Sequence, residues 1–344
     1  MLKRENTFYQ RLYLLFLSLF CLMPLDFAQV PNWTTVKETN INVANAMYPT
    51  VDIFTNRYGN HIIVHEDNGL KYYRMNVNGQ AGSPVLIESS SVISPSISGD
   101  ADNLYIVYGM SNTIKVKRST NGGTNWSSWT SFSISTTATS LESVVSNGRL
   151  HITYLDANVV KYRYRGSDFT WVTPMTVSTG ETGINPRIAA YYYNRVDRIY
   201  FLYQKNDDAK WRYYDFNEPN HWGSLNVGYT EQNVSYSGFR VDNSNMIIYF
   251  IWHESNPYFL YYFAWAILDL NNNFLYHGNA DLSAVNWKMY STQTEDGISH
   301  TAHYYEQLSN GKYSPIGIWR AYDAANFPSI ENEVYEYISS QDDV

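Results

Sequence analysis

The residues best suited to chemistry recur at one place in the pattern of this chain. Glu66-Asp67, Asp156, Lys205 with Asp207, and His253-Glu254 each close an alternating apolar run. Arg320 closes another such run, and Arg187 follows a proline signal at Pro186. Carboxyls beside a histidine can do acid/base work on a glycosidic bond, one acid protonating the leaving oxygen while a carboxylate acts from the other face. Arginine suits a substrate carboxylate because its planar fork meets it with two parallel hydrogen bonds. Trp252 and Trp319 stand directly before His253 and Arg320, and an aromatic platform beside polar turn groups suits a sugar ring. The competing account is that these are solvated turn residues that keep the surface soluble.

Other constellations are weaker. His300-x-x-His303 would serve a metal on a helix, but in a strand an offset of three sends the rings to opposite faces. Asp100-Ala101-Asp102-Asn103 and Asp269-Leu270-Asn271-Asn272-Asn273 resemble fragments of a calcium loop, yet lack its glycine and distal glutamate, so each is expected to be a turn. The pairs Lys115/Lys117, Lys161/Arg163 and Lys210/Arg212 share one strand face by parity. They suit salt bridges within or between repeats, or else repeated ligand pockets between them. No phosphate-binding glycine loop or nucleophile elbow is present, and neither metal nor cofactor is expected.

A unit of about 46 residues positions these groups. Tyr48-Pro49-Thr50-Val51 is echoed by Ser94-Pro95-Ser96-Ile97 and by Asn185-Pro186-Arg187-Ile188, with a proline-free counterpart near Ser140-Leu141. A fixed period of this size marks a repeat architecture whose units are stable only when stacked. Each unit lays out as four strands. The second strands are Ile62–His65, Leu104–Tyr108, Leu150–Tyr154, Ile199–Tyr203, Ile248–Trp252 and Ile316–Trp319, and the fourth are marked by Trp126, Trp171, Trp222 and Trp287. Even spacing of four short strands per unit is the pattern of a propeller blade. Six second strands predict six blades. The last lacks a Trp-marked fourth strand after Tyr335–Ile338, while Asn32-Trp33-Thr34-Thr35-Val36 precedes the first, so the N-terminal strand is expected to close the last blade and remove its free edge. The tryptophans then serve packing, with sugar stacking as the lesser alternative. Extra aromatic sequence at 257–275 lengthens the fifth unit or adds a hairpin, a place for a protein partner.

The N-terminus reads as a secretory signal peptide over 1–28. Lys3, Arg4 and Arg11 precede an apolar run from Leu12 to Leu25, and Asp26-Phe27-Ala28 ends in a small residue. The propeller domain is then 29–344, and the protein is expected to be secreted, extracellular or periplasmic, unless the leader is kept as an anchor. The single cysteine, Cys21, lies in that leader, so the mature domain has no disulfide or thiolate chemistry. Loss of three positive and two negative leader side chains takes the formal charge from −8 to −9, which disfavours nucleic acid. The 32 tyrosines and 10 tryptophans, with many Ser, Thr and Asn, make this an all-β chain.

Ser119-Thr120-Asn121-Gly122-Gly123-Thr124-Asn125-Trp126 resembles the Asp-box turn of the sialidase-like, or BNR-repeat, β-propeller superfamily. It keeps Ser119, Gly123 and Trp126 and has Asn121 where the family has Asp. Gly166–Trp171 is a shortened echo. The resemblance implies a β-propeller with this turn between third and fourth strands, away from the mouth. Active members grip a carboxylate with three arginines, the first in an Arg-Ile-Pro motif near the start of blade one; here Ala46-Met47-Tyr48-Pro49-Thr50-Val51 has none. No catalytic role is carried over. The expected activity is non-catalytic recognition of an extracellular glycan through the central face. The alternatives are a glycoside hydrolase or polysaccharide lyase, and a protein-interaction scaffold.

Overall fold

Two of the repeat prolines, Pro95 and Pro186, mark bulges, and Pro49 lies outside the described residues. In β5 (Ile93–Gly99), paired with β6 (Leu104–Met110), the register slips between Ile93 and Ser96. In β13 (Ile184–Tyr193), paired with β14 (Val196–Lys205), it slips between Ile184 and Arg187. Ser94 and Asn185, each directly before the proline, take φ of 44° and 50°. An extra residue followed by a ring that cannot donate bends the strand at its start.

This computed structural model describes residues 50–321 apart from 67–68, 77–79, 166–169, 194–195, 207, 231–233, 242–245, 255–260, 270–273, 283–286, 294–299 and 308–312, with side chains over 52–227. The segment 1–28 expected to be a leader, Asn32–Val36, Tyr335–Ile338 and Asp67 lie outside the described residues.

The chain is all-β and builds four-stranded antiparallel sheets in strict sequence order. The first holds β1 (Thr50–Asn56), β2 (Gly59–Glu66), β3 (Gly69–Met75) and β4 (Val85–Glu88). The second continues from β5 and β6 into β7 (Thr113–Ser119) and β8 (Ser127–Ser133), and the third holds β9 (Leu141–Ser146), β10 (Arg149–Asp156), β11 (Val159–Arg165) and β12 (Met175–Thr176). The fourth adds β15 (Asp208–Asp215) and β16 (Asn226–Thr230) to β13 and β14. Backbone pairing then joins β17 (Val234–Val241), β18 (Met246–Glu254), β19 (Tyr261–Asp269) and β20 (Phe274–Leu282), and finally β21 (Trp287–Gln293), β22 (His300–Gln307) and β23 (Tyr313–Ala321).

First strands touch in succession, β1 to β5 to β9 to β13 to β17 to β21, so the sheets stack side on side with their first strands innermost. Side-chain bonds one period long tie these strands. Asp52 Oδ2 accepts from Ile97 N (2.8 Å), Ser96 Oγ from Ser143 N (3.2 Å), and Glu142 Oε2 from Ile188 N (2.7 Å).

Each pair of neighbouring sheets among the first four encloses its own apolar core. Ile63, Leu70 and Tyr72 meet Ile97, Ile106 and Tyr108. Val107, Ile114 and Val116 meet Leu141, Ile152 and Tyr154. Val160 and Tyr162 meet Ile188, Ile199 and Phe201. Alternation along each strand feeds two cores at once, which is why the second strands are apolar on both faces. Burial of such side chains stabilises by about 1.5–3 kcal/mol each.

The tryptophans serve packing. Trp126 stands edge-on to Tyr72 (4.9 Å), Trp171 to Phe132 (4.9 Å) and Trp222 to Tyr214 (5.1 Å), each just before its fourth strand and each within the core shared with the preceding sheet. The turn leading to Trp126 is closed by Ser119 Oγ, which accepts from Gly123 N (2.9 Å), and by Asn121 Oδ1, which accepts from Asn125 N (3.0 Å). Gly123 sits at φ 85°, and a Cβ there would fall 1.8 Å from the Tyr72 hydroxyl. Only glycine fits.

Two expectations change. Trp287 opens β21, a first strand, and Ile316–Trp319 lie in β23, a third strand. The reason is the sequence 257–275: β19 and β20 each run for nine residues and complete the fifth sheet by themselves, so the following sheet begins at Trp287. The added residues lengthen strands. Asp100 to Asn103 form a turn, as expected, with Asp100 Oδ1 accepting from Asp102 N (2.8 Å) and Asn103 N (2.7 Å).

Glu142→Ala removes the acceptor for Ile188 N and should lower stability by about 1–3 kcal/mol, read as a fall in denaturation midpoint with unchanged m-value. A second prediction concerns acid. His151 Nδ1 bonds the Tyr162 hydroxyl (2.8 Å) and His61 Nδ1 that of Tyr72 (2.7 Å), both fully buried. Burial lowers the pKa of His151 to about 3; burial and then Arg74 lower that of His61 to about 4. The unfolded chain takes up these protons near pH 6.5 and the folded chain does not, so stability is full above about 6.5 and falls as pH drops toward 4, by up to about 1.4 kcal/mol per pH unit per histidine. A midpoint that stays flat between pH 7 and 5 would contradict this.

Candidate functional site

Registers sort the polar turns onto two ends of the sheets. Thr50 pairs with His65 and Leu70 with Glu88, so one end carries the turn between second and third strands and the crossing to the next first strand. We call it the upper end. Asn56 pairs with Gly59, which places the turn between first and second strands at the lower end, together with the turn at Ser119–Trp126.

Glu66, Asp156, Arg187, His253 and Glu254 fall at the upper end, close to where β2, β10 and β18 finish or β13 starts. Trp252 lies one residue inside it. Trp319 and Arg320 do not join them. Arg320 pairs with Thr301 near the start of β22 and so stands at the lower end, because β23 is a third strand running the other way. His300 and His303 lie on one strand, β22, and not on a helix.

Two of the upper-end carboxylates, Glu66 and Asp156, are committed to neighbours. Glu66 is buried and accepts from Lys71 Nζ at 2.6 Å. Asp156 Oδ1 accepts from Ser135 N (2.9 Å), Ser135 Oγ (2.5 Å) and Thr136 N (3.1 Å), which pins the crossing between β8 and β9. Arg187 is half-buried on β13 beside the Pro186 bulge.

A further motif emerges between sheets. Glu88 Oε2 accepts from the Tyr108 hydroxyl (3.2 Å) and lies 3.5 Å from Lys115 Nζ. Glu181, on the crossing from β12 to β13, accepts from the Tyr203 hydroxyl (2.6 Å), Lys205 Nζ (2.5 Å) and Lys210 Nζ (2.9 Å). Tyrosine and lysine occupy paired positions on second and third strands, Tyr108 with Lys115 and Tyr203 with Lys210. The preceding sheet supplies the glutamate. Burial alone would raise the carboxyl of Glu181, but bonds from Lys205, Tyr203 and Lys210 outweigh it and hold the pKa at about 2. Burial likewise opposes ionisation of Glu88, and Lys115 and Tyr108 reverse it. A seven-residue spacing of Tyr to Lys recurs in sequence, also at Tyr154 and Lys161, and signals half of this motif. The glutamate could not be read, since it stands 20 residues before one tyrosine and 22 before the other.

The Glu88 cluster borders an open groove of about 320 Å³ between the first and second sheets, lined by Glu88, Tyr108, Lys115, Lys117, Ser128 and Thr130 among others. Hydroxyls, two ammoniums and a carboxylate in a shallow cleft can bind a polyhydroxylated ligand. They are poorly suited to proton transfer, because carboxylates held ionised cannot act as acids near neutral pH. No group of three His, Cys, Asp or Glu that could hold a metal ion occurs among the described residues.

No protein-family model matches the chain, and no curated protein matches it. Solved structures do. The NanB sialidase of Streptococcus pneumoniae aligns with a TM-score of 0.55 at 9% identity, over 82% of this chain and 69% of that one. An arginine-to-alanine triple mutant of AofleA from Arthrobotrys oligospora aligns at 0.53 and 12% identity, over 83% and 93%. A protein of unknown function from Desulfotomaculum acetoxidans aligns at 0.53 and 11%, over 87% of each chain. The chain has a propeller-type fold. At such identities the likeness extends to fold alone, and to sialidases only distantly.

Glu181→Ala leaves Lys205 and Lys210 without their shared carboxylate. It should cost about 1–3 kcal/mol after allowance for solvent around the lysines, seen as a lower thermal midpoint, while Lys205→Met alone should cost less.

Proposed function

We propose that this chain is a secreted six-bladed β-propeller of the sialidase-like kind, its last blade closed by the N-terminal strand, that binds extracellular carbohydrate without cleaving it. The observation carrying this reading is the open polar groove between the first and second sheets, bordered by Glu88, a carboxylate that is ionised and paired. Glycosidic cleavage asks for a carboxyl with a raised pKa opposite a second carboxylate. Glu181 is instead held at about 2, and Glu66 and Asp156 are bound to partners within the fold. The region Ala46–Val51 also lacks the arginine that the sialidase resemblance would require. Support for a sugar ligand comes from the density of hydroxyl and ammonium donors at the groove, since sugars are recognised by convergent polar groups on a rigid frame. The central-face residues Trp252, His253 and Glu254 extend the same upper end.

A glycan array followed by calorimetry on the secreted protein should give saturable binding of at least one saccharide with no product released over many hours. Failure to bind any saccharide would sink the reading, and so would turnover abolished by His253→Ala or Glu254→Ala.

A further inference from the structure

Three grooves between neighbouring sheets can be compared residue by residue. The ladder pairs Ile106 with Lys117, Ile152 with Arg163 and Phe201 with Arg212, so each third strand holds one cation at the same level. In the third sheet, Arg163 Nε donates to the Val172 carbonyl (2.8 Å), and its guanidinium lies over Phe132 of the preceding sheet (4.6 Å). In the fourth, Arg212 donates to Thr179 Oγ1 (2.8 Å) on one wall and to the Gly223 carbonyl (3.1 Å) on the other, and lies over Trp222 (4.3 Å). Both guanidiniums bridge their grooves wall to wall, and burial lowers the pKa of each.

The second sheet has lysine at this level. Lys117 Nζ donates to Ser128 Oγ (2.9 Å) on β8 of its own sheet, and the groove toward the first sheet stays open at about 320 Å³. An ammonium lacks the planar fork that spans two walls and stacks on an aromatic face. The charges also differ in kind. Lys115 is matched by Glu88 at 3.5 Å, whereas Lys117 has no carboxylate within salt-bridge distance among the described residues. The groove therefore offers one uncompensated positive charge on a chain of net charge −8, beside the hydroxyl of Ser128.

We propose that the open groove between the first and second sheets is a binding subsite for an anionic sugar unit, with Lys117 meeting its carboxylate or sulfate. It rests on the carbohydrate reading above and adds the ligand's charge and position. The volume is at the small end of the range for small-molecule sites, about 300–1000 Å³, which suits a single sugar ring.

Calorimetry on the secreted protein with three probes, a digalacturonate, a sulfated galactobiose and unmodified galactobiose, separates the outcomes. At least one acidic probe should bind at least ten-fold more tightly than the neutral one; which of them does so identifies carboxylate or sulfate as the source of charge. Lys117→Gln should reduce that affinity at least ten-fold. Lys117→Arg keeps the charge but carries the group that spans the other two grooves. It should also reduce binding, with a thermal midpoint no lower than the parent's. Equal affinity for acidic and neutral probes, or acidic binding unchanged in both variants, would overturn the subsite; if some other saccharide is still bound, carbohydrate recognition stands without it. Absence of binding to any saccharide would remove both.

Discussion

An innermost strand in a stack of sheets has one edge with no ladder partner, and its N–H groups must still be satisfied. Here the preceding first strand supplies the acceptor: Asp52 for Ile97, Ser96 for Ser143, and Glu142 for Ile188. Each bond is one repeat long, so it sets the distance between neighbouring sheets. That spacing is what lets Trp126, Trp171 and Trp222 fill the cores between sheets, and what leaves narrow grooves along their rims.

The same logic governs the upper rim. Glu88 and Glu181 reach from one sheet to a tyrosine and a lysine of the next, and each acts as an electrostatic clasp. A partly buried carboxylate is tolerated where several donors converge on it. Between the second and third sheets the clasp takes another form, in which Asp156 gathers backbone and hydroxyl donors of Ser135 and Thr136 while Lys161 turns to Thr176 Oγ1 (2.8 Å). Variation among clasps, and between lysine and arginine one step along the third strand, distinguishes one groove from another in an otherwise repetitive frame.

Much of the fold was legible. The proline signal with its apolar partner marked the first-strand bulges at Pro95 and Pro186, and alternation located the second strands from Ile62 to Trp252. Ser119, Asn121, Gly123 and Trp126 were identifiable because a tight turn needs local acceptors and a glycine with positive φ. Strand assignment failed after the fifth repeat. Aromatic-rich sequence at 257–275 made long strands where a shorter repeat was expected, and this shifted Trp287, Trp319 and Arg320 to other positions in the pattern.

By itself the sequence determined the all-β class, the period, the turn chemistry and the face on which the basic pairs lie, because all of these follow from backbone conformation and strand parity over a few residues. Only the tertiary structure decided which carboxylates are engaged, that Arg163 and Arg212 span their grooves while Lys117 stays on its own wall, and which end of a sheet each polar turn occupies. Those outcomes depend on contacts about one repeat apart, whose geometry is fixed by how the sheets stack rather than by any local run of residues.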